Sequence, residues 1–212
     1  MLLYLTVITI ATVVIAVLNV FFVAPALGRG APFTVFATVA SVVLVILIDG
    51  VTAWLVNRLP EKPFDHKKKF FTVSAKEKKF YEKLGIRKWK DRIPELGALG
   101  GFRKDKVAEP TNNEYVGRFL LEICYGQFVH ILSMISGFLV MLIFMEFALT
   151  VGLPVAIVNL ILNLPSICIL RYNSYKLEVL YKSNEKKAAR ARVQKAMEEA
   201  AATDASDMEK GK

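Results

Sequence analysis

The chain has 212 residues, 54% of them hydrophobic, and a formal charge of +9. That apolar share, with a mean hydropathy of +0.42, excludes an ordinary soluble domain and points to several membrane crossings. Two cysteines, Cys124 and Cys168, and two histidines leave no room for a disulfide scaffold or a His-rich metal site.

The first apolar run is Leu2–Val23. No basic stretch precedes it, and it is longer than the core of a signal peptide, so a retained transmembrane helix is expected. The second run is Phe33–Val56, after a short loop with Gly28, Arg29, Gly30 and Pro32. Residues 58–115 then hold sixteen Lys and Arg against nine Asp and Glu. A third run covers Phe128–Ala148, extended upstream by Phe119–Gln127, and a fourth covers Leu153–Leu170. The tail 171–212 is again basic, ten cations against seven acids, whereas the loop after the first run has only Arg29 and residues 149–152 have no charge. Basic segments stay on the cytoplasmic side. The expected fold is therefore an all-α integral membrane protein of the cell membrane, with four transmembrane helices and both termini cytoplasmic. It divides into a first hairpin (1–57), a basic cytoplasmic loop with an interfacial helix (58–115), a second hairpin carrying the site (116–175) and a tail (176–212). In the tail a short exposed helix from Asn184 to Ala201 is expected, followed by a disordered end. Oligomeric state is left open.

Within the basic loop, apolar and aromatic residues recur at near-helical spacing from Ser74 to Leu84, with lysines between them. Ser74 and Glu77 have capping-box spacing, and Gly85 is a plausible stop. Such a helix suits an anionic leaflet, and its basic face also suits the phosphates of a substrate. Arg87, Lys88, Trp89 and Lys90 follow, in a motif that runs on to Ile93-Pro94. A tryptophan among cations suits a headgroup layer or a phosphate-binding corner. Nucleic acid is not an expected partner, because phospholipid is already within reach of this loop.

Ionisable and amide side chains inside an apolar span mark candidate sites. Asp49 falls in the second span, Glu122 and His130 at the start of the third, Glu146 near its far end, and Asn163 in the fourth. Arg171, Tyr172 and Asn173 close the fourth span, and Pro165 interrupts it. By depth, all of these except Glu146 belong to the cytoplasmic half. His130 is the natural general base. Glu122 lies eight residues before it, about 12 Å of rise and roughly 80° of rotation away on a regular helix. It is in reach of Arg118 at i−4 instead. Asp49 from across the bundle and Gln127, three residues before His130, are the other available partners.

Three ordered blocks, Arg87-Lys88-Trp89-Lys90-Asp91-Arg92-Ile93, Glu122 with His130, and Asn163-Leu164-Pro165 with Arg171-Tyr172-Asn173, resemble the glycosyl-4,4'-diaponeurosporenoate acyltransferase family over about residues 80–175. Gln127 and Ser174 depart from that pattern, where an acidic residue and an arginine are expected. The resemblance implies transfer of a fatty acyl group from a thioester donor to a hydroxyl of a glycosylated lipid. The donor would be acyl-CoA or an acyl-carrier-protein thioester, with no cofactor. A mechanism consistent with both the residues and the resemblance has His130 as base, Asp49 or Glu122 as its support, Asn163 or Arg171 as oxyanion donor, and Arg87, Lys88 and Lys90 on the donor's phosphates. Two other classes stay open on the residues alone. One is a small membrane methyltransferase or reductase, although no glycine-rich cofactor loop is visible. The other is a scaffold that recruits partners through the basic loop.

Overall fold

The computed structural model describes residues 2–93 and 107–210. Its regular elements among these residues are all helices, with no strands. Helix α1 (Leu2–Leu18) continues into a π-turn over Asn19–Val23, and α2 covers Ala31–Val56. Two short helices, α3 (Ala75–Lys83) and α4 (Ile86–Trp89), follow in the basic segment. Helix α5 covers Asn113–Ser136 and α6 covers Leu153–Lys210. Four helical segments are long and apolar enough to cross a membrane, namely Leu2–Val23, Ala31–Val56, Asn113–Leu142 and Met145–Glu199. Large apolar side chains such as Phe21, Phe22, Phe36 and Leu142 remain on the outer surface, as suits helices solvated by lipid rather than water.

Close approach of the helices is set by small residues. A Cβ added to Gly126 would sit 3.0 Å from Leu170, and one on Gly137 would sit 2.5 Å from the Asn159 side-chain nitrogen. These two glycines let α6 lie against α5 along most of its length. At the end of the bundle away from the basic segment, Asn19 Nδ2 donates to the Ile15 and Thr150 carbonyls at 2.9 and 2.8 Å. Arg29 and Glu146 pair there at 2.7 Å.

Three expectations change. The third span starts before the expected upstream limit at Phe119 and ends before Ala148. α5 begins at Asn113, where the Asn112 side chain caps the N–H groups of Glu114 and Tyr115. The helix then passes through a 3₁₀ stretch over Gly137–Leu142, and residues 145–152 form tight turns leading into α6. Pro165 does not divide the fourth helix, which runs unbroken from Leu153. The expected short tail helix and disordered end are one continuous extension of α6 to Lys210. Its exposed part is held by Ala-rich composition and i,i+4 pairs such as Lys195–Glu199.

The basic segment is packed onto the bundle and is not merely laid beside it. Phe64 stacks on Tyr125 at 4.1 Å between ring centroids and meets Phe71 and Phe128. The Tyr125 hydroxyl donates to the Leu59 carbonyl at 2.8 Å. On α3, Tyr81 is buried against Ile86, Ile169 and Tyr172, while Phe80 is exposed. The aromatics therefore do not share one lipid-facing side. Ser74 caps α3 by accepting from the Glu77 N–H at 3.1 Å, and Gly85 ends it with a left-handed φ of 68°.

Candidate active site

Two polar clusters join α6 to the rest of the molecule. The first lies inside the bundle. α2 brings Asp49, α5 brings Ser133 and His130, and α6 brings Asn159 and Asn163, one helical turn apart. Asn159 Nδ2 donates to Asp49 Oδ1 at 3.3 Å and to the Ser133 carbonyl at 3.1 Å. Asn163 Nδ2 faces only acceptors: the Asn159 carbonyl and Oδ1, each at 3.0 Å, and Asp49 Oδ2 at 3.5 Å. That fixes the orientation of the Asn163 amide, and its Oδ1 meets His130 Nδ1 at 2.7 Å. An amide oxygen can only accept, so Nδ1 carries the proton and donates. In the neutral imidazole, Nε2 is then left with its lone pair. The arrangement is a relay from carboxylate through amide to imidazole, ending in an available base.

Glu122 is not part of this relay. It lies 3.9 Å from Arg118, which also reaches Glu61 at 3.8 Å. α5 is regular between 122 and 130, so the two side chains are held apart by rise and rotation.

The second cluster sits at the basic end and centres on Arg171. Its Nε and Nη2 grip the Glu77 carboxylate, the Nη2 bond to Oε2 being 3.0 Å. Nη1 donates to the Phe70 carbonyl and to Gln127 Oε1, both at 3.1 Å, and Nη2 to the Thr72 carbonyl at 3.3 Å. All five guanidinium N–H groups have acceptors. The neighbouring guanidinium, more than any other group, holds the Glu77 carboxyl below its ordinary range. The Tyr81 hydroxyl, at 2.7 Å, and the Ser74 N–H add to this. Burial, with Glu77 beside it, pushes the Tyr81 phenol up.

Tyr172 is fully buried and accepts from Arg87 Nε at 3.0 Å. Arg87 also pairs with Glu82, whose carboxyl is lowered mainly by Lys78 and then by Arg87. Trp89 donates to the Leu84 carbonyl at 3.0 Å, and Lys90 lies 3.5 Å from Asp91. Lys88 is exposed and Asn173 half-buried. Pro94 lies outside the described residues. Of the candidates, then, Asp49, Asn163 and His130 come together, while Arg171, Tyr172 and Arg87 form the joint between α6 and the basic segment.

Sequence reasoning read Glu77 only as part of a helix cap, and placed neither Asn159 nor the pair His66–Glu178 in a site; that pair meets at 2.7 Å and ties the basic segment to α6. A signal was present. The polar positions 159, 163, 171 and 178 are spaced by four, eight and seven residues, close to whole turns of a helix. Among the described residues no group of His, Cys, Asp and Glu has the arrangement to hold a metal ion.

The fold is that of a multi-pass helical bundle, with a hydrogen-bonded chain of carboxylate, amide and imidazole between its spans. The sequence profile of the glycosyl-4,4'-diaponeurosporenoate acyltransferase family matches residues 60–183, more than half of the chain. The chain belongs to this family and is an acyltransferase of carotenoid biosynthesis. No curated protein and no solved structure matches it.

Proposed function

We propose that the protein transfers a fatty acyl group from a thioester donor to a hydroxyl of a glycosylated lipid, at the cytoplasmic face, with His130 as general base. The observation that carries this is the 2.7 Å contact between His130 Nδ1 and Asn163 Oδ1, which orients the ring and leaves Nε2 to accept a proton. In the step, Nε2 takes the proton of the attacking hydroxyl. The oxygen bonds to the thioester carbonyl carbon, the carbon–sulfur bond breaks, and the leaving thiolate recovers the proton from the imidazolium. Asp49, reached through Asn163, stabilises the imidazolium. Exposed lysines on α3 and Lys88 supply charge for the phosphates of the donor, as acyl-CoA or an acyl carrier protein. Arg171 and Tyr172 hold the basic segment in place and do not touch the substrate.

The test is a comparison of lipid profiles from cells with the protein, without it, and with His130→Ala. An acylated glycolipid that appears only with the parent chain is expected. Its equal appearance with His130→Ala would sink the scheme.

A further inference from the structure

A groove of about 370 Å³, its open side included, lies between α1, α2 and α6. Ala11 and Thr12 are the small side chains on α1 that leave room for it. Its far end is closed by Ile15, Val42 and Val155, which pack with Phe147 and Val151 in one apolar cluster. Ile46 on α2 also lines it and is exposed, so the groove opens sideways towards lipid. It is blind at the end of the bundle away from the basic segment.

Protein interiors are close-packed, and an apolar cavity stays dry and takes apolar ligands. Only Thr12 and Asn159 bring polar side chains to the lining, and both are engaged. The Thr12 hydroxyl donates to the Ile8 carbonyl at 2.7 Å. Asn159 Nδ2 donates to Asp49 and the Ser133 carbonyl, and its Oδ1 accepts from Asn163. No lining side chain is left to recognise a sugar or a phosphate, so the groove suits plain hydrocarbon. Asn159 joins it to the polar chain that ends at His130. Asp49 follows Val45, and Asn163 follows Asn159, by about one helical turn towards the basic segment. Exposed lysines, the chain from Asp49 to His130, and the groove therefore succeed one another along the bundle. A thioester donor carries its parts in the same order: phosphates, thioester, hydrocarbon chain. From Leu162 to Val155 the groove covers about 10 Å of α6. The stiff conjugated chain of a carotenoid acceptor cannot bend into a blind groove of that length, whereas a saturated acyl chain can.

Resting on the acyl transfer proposed above, we infer that this groove holds the hydrocarbon chain of the acyl donor, and that Ala11, Thr12 and Ile15 set which chain lengths are accepted. The chain enters sideways past Ile46, and its thioester end lies at the level of Asn163 and His130. A chain too long for the groove cannot reach its floor and still place the carbonyl carbon beside the base. Chain length is therefore selected by groove depth and not by any polar contact.

Thr12→Phe fills the groove from α1 and removes only a hydroxyl that is bonded within its own helix. The assay uses membranes containing the full chain, with the glycolipid fraction of cells lacking the protein as acceptor. Palmitoyl-CoA and hexanoyl-CoA are compared as donors through their kcat/KM values. The palmitoyl-to-hexanoyl ratio should fall by roughly 10–100-fold in Thr12→Phe. A folded Thr12→Phe with the parental ratio overturns the inference, because the donor chain then lies elsewhere. A parental ratio with a raised KM for the glycolipid overturns it as well, since the groove would then belong to the acceptor. If Thr12→Phe loses folded protein, Ala11→Leu, a smaller filling from the same helix, decides by the same ratio. No transfer from either donor by the parent chain would instead remove the acyl-transfer proposal itself.

Discussion

The two polar clusters on α6 differ in one respect that matters more than their position. At the basic end, Arg171 meets Glu77, Gln127 and two carbonyls, and every guanidinium N–H has an acceptor. Inside the bundle, Asp49, Asn159, Asn163 and His130 form an equally ordered chain, yet it ends on a nitrogen with a free lone pair. A guanidinium with every N–H engaged can only hold; an imidazole with an open nitrogen can exchange a proton. The composition of the two clusters does not distinguish them, since each contains a charge and an amide. Hydrogen-bond accounting does.

The sharpest way to break this comparison is to remove the terminus. His130→Ala should lower acyl transfer by roughly 10²–10⁴-fold and leave the thermal transition of the purified protein close to that of the parent. Arg171→Ala should do the reverse. It strands Glu77 and two carbonyls in a half-buried joint, a loss of about 2–3 kcal/mol visible as a lower melting temperature and as early proteolysis in the basic segment. Its activity should then follow the folded fraction. If Arg171→Ala stayed fully stable but inactive, the division into holding and reacting clusters would fail.

Much of the fold was legible because lipid imposes simple demands. The four apolar runs, the basic segment between the second and third, and the start of α3 at Ser74 all follow from length, charge and capping. The end of the third span was not legible, because Phe138 to Ala148 is as apolar as the helix before it. Hydropathy is blind to the 3₁₀ and π-turns that fit this stretch under α6. The continuous α6 was missed because Pro165 was given the weight it has in water. A proline is tolerated inside a transmembrane helix without ending it, and α6 runs through this one. For the site, residue type singled out Asp49, His130 and Asn163. Type alone could not show that Arg171, with the same polar signature, is saturated by Glu77 from a helix about ninety residues away. Nor could it show that Gln127 keeps one end of its amide unpaired. Both are facts about partners, and partners are set by tertiary packing.

Within the reacting cluster, Asp49→Asn is a finer cut. The amide keeps the shape and some hydrogen bonds but removes the charge that steadies the imidazolium. At on the order of 8 Å and an effective dielectric of about 20, that charge contributes about 2 kcal/mol, or roughly 30-fold in rate. The same substitution in the His130→Ala background should have little further effect, since the imidazolium it supports is gone. Additive losses in the double variant would show that Asp49 acts on something other than His130.

The smallest effect expected is on the holding cluster and is read from pH. Arg171 lowers the Glu77 carboxyl below its ordinary value of 4.5, so the folded state holds the ionised form more tightly than the unfolded chain does. The stability gained is then fully present above 4.5. It is lost as pH falls through the lower, folded-state value, because there the folded carboxyl must also take up a proton. In thermal melts from neutral pH downwards, the parent should lose stability below this range. Glu77→Gln should begin lower and lose less over the same interval, because its pairing with Arg171 no longer depends on a proton. Equal slopes in the two proteins would mean that the ion pair at this joint adds nothing beyond its hydrogen bonds. The effect is small because about a quarter of the Glu77 side chain remains exposed, 27% against 18% for Arg171, and water screens part of the attraction. The chain from Asp49 to His130 lies within apolar spans, where water screens less, and for that reason the same kind of charge deletion is expected to matter more there.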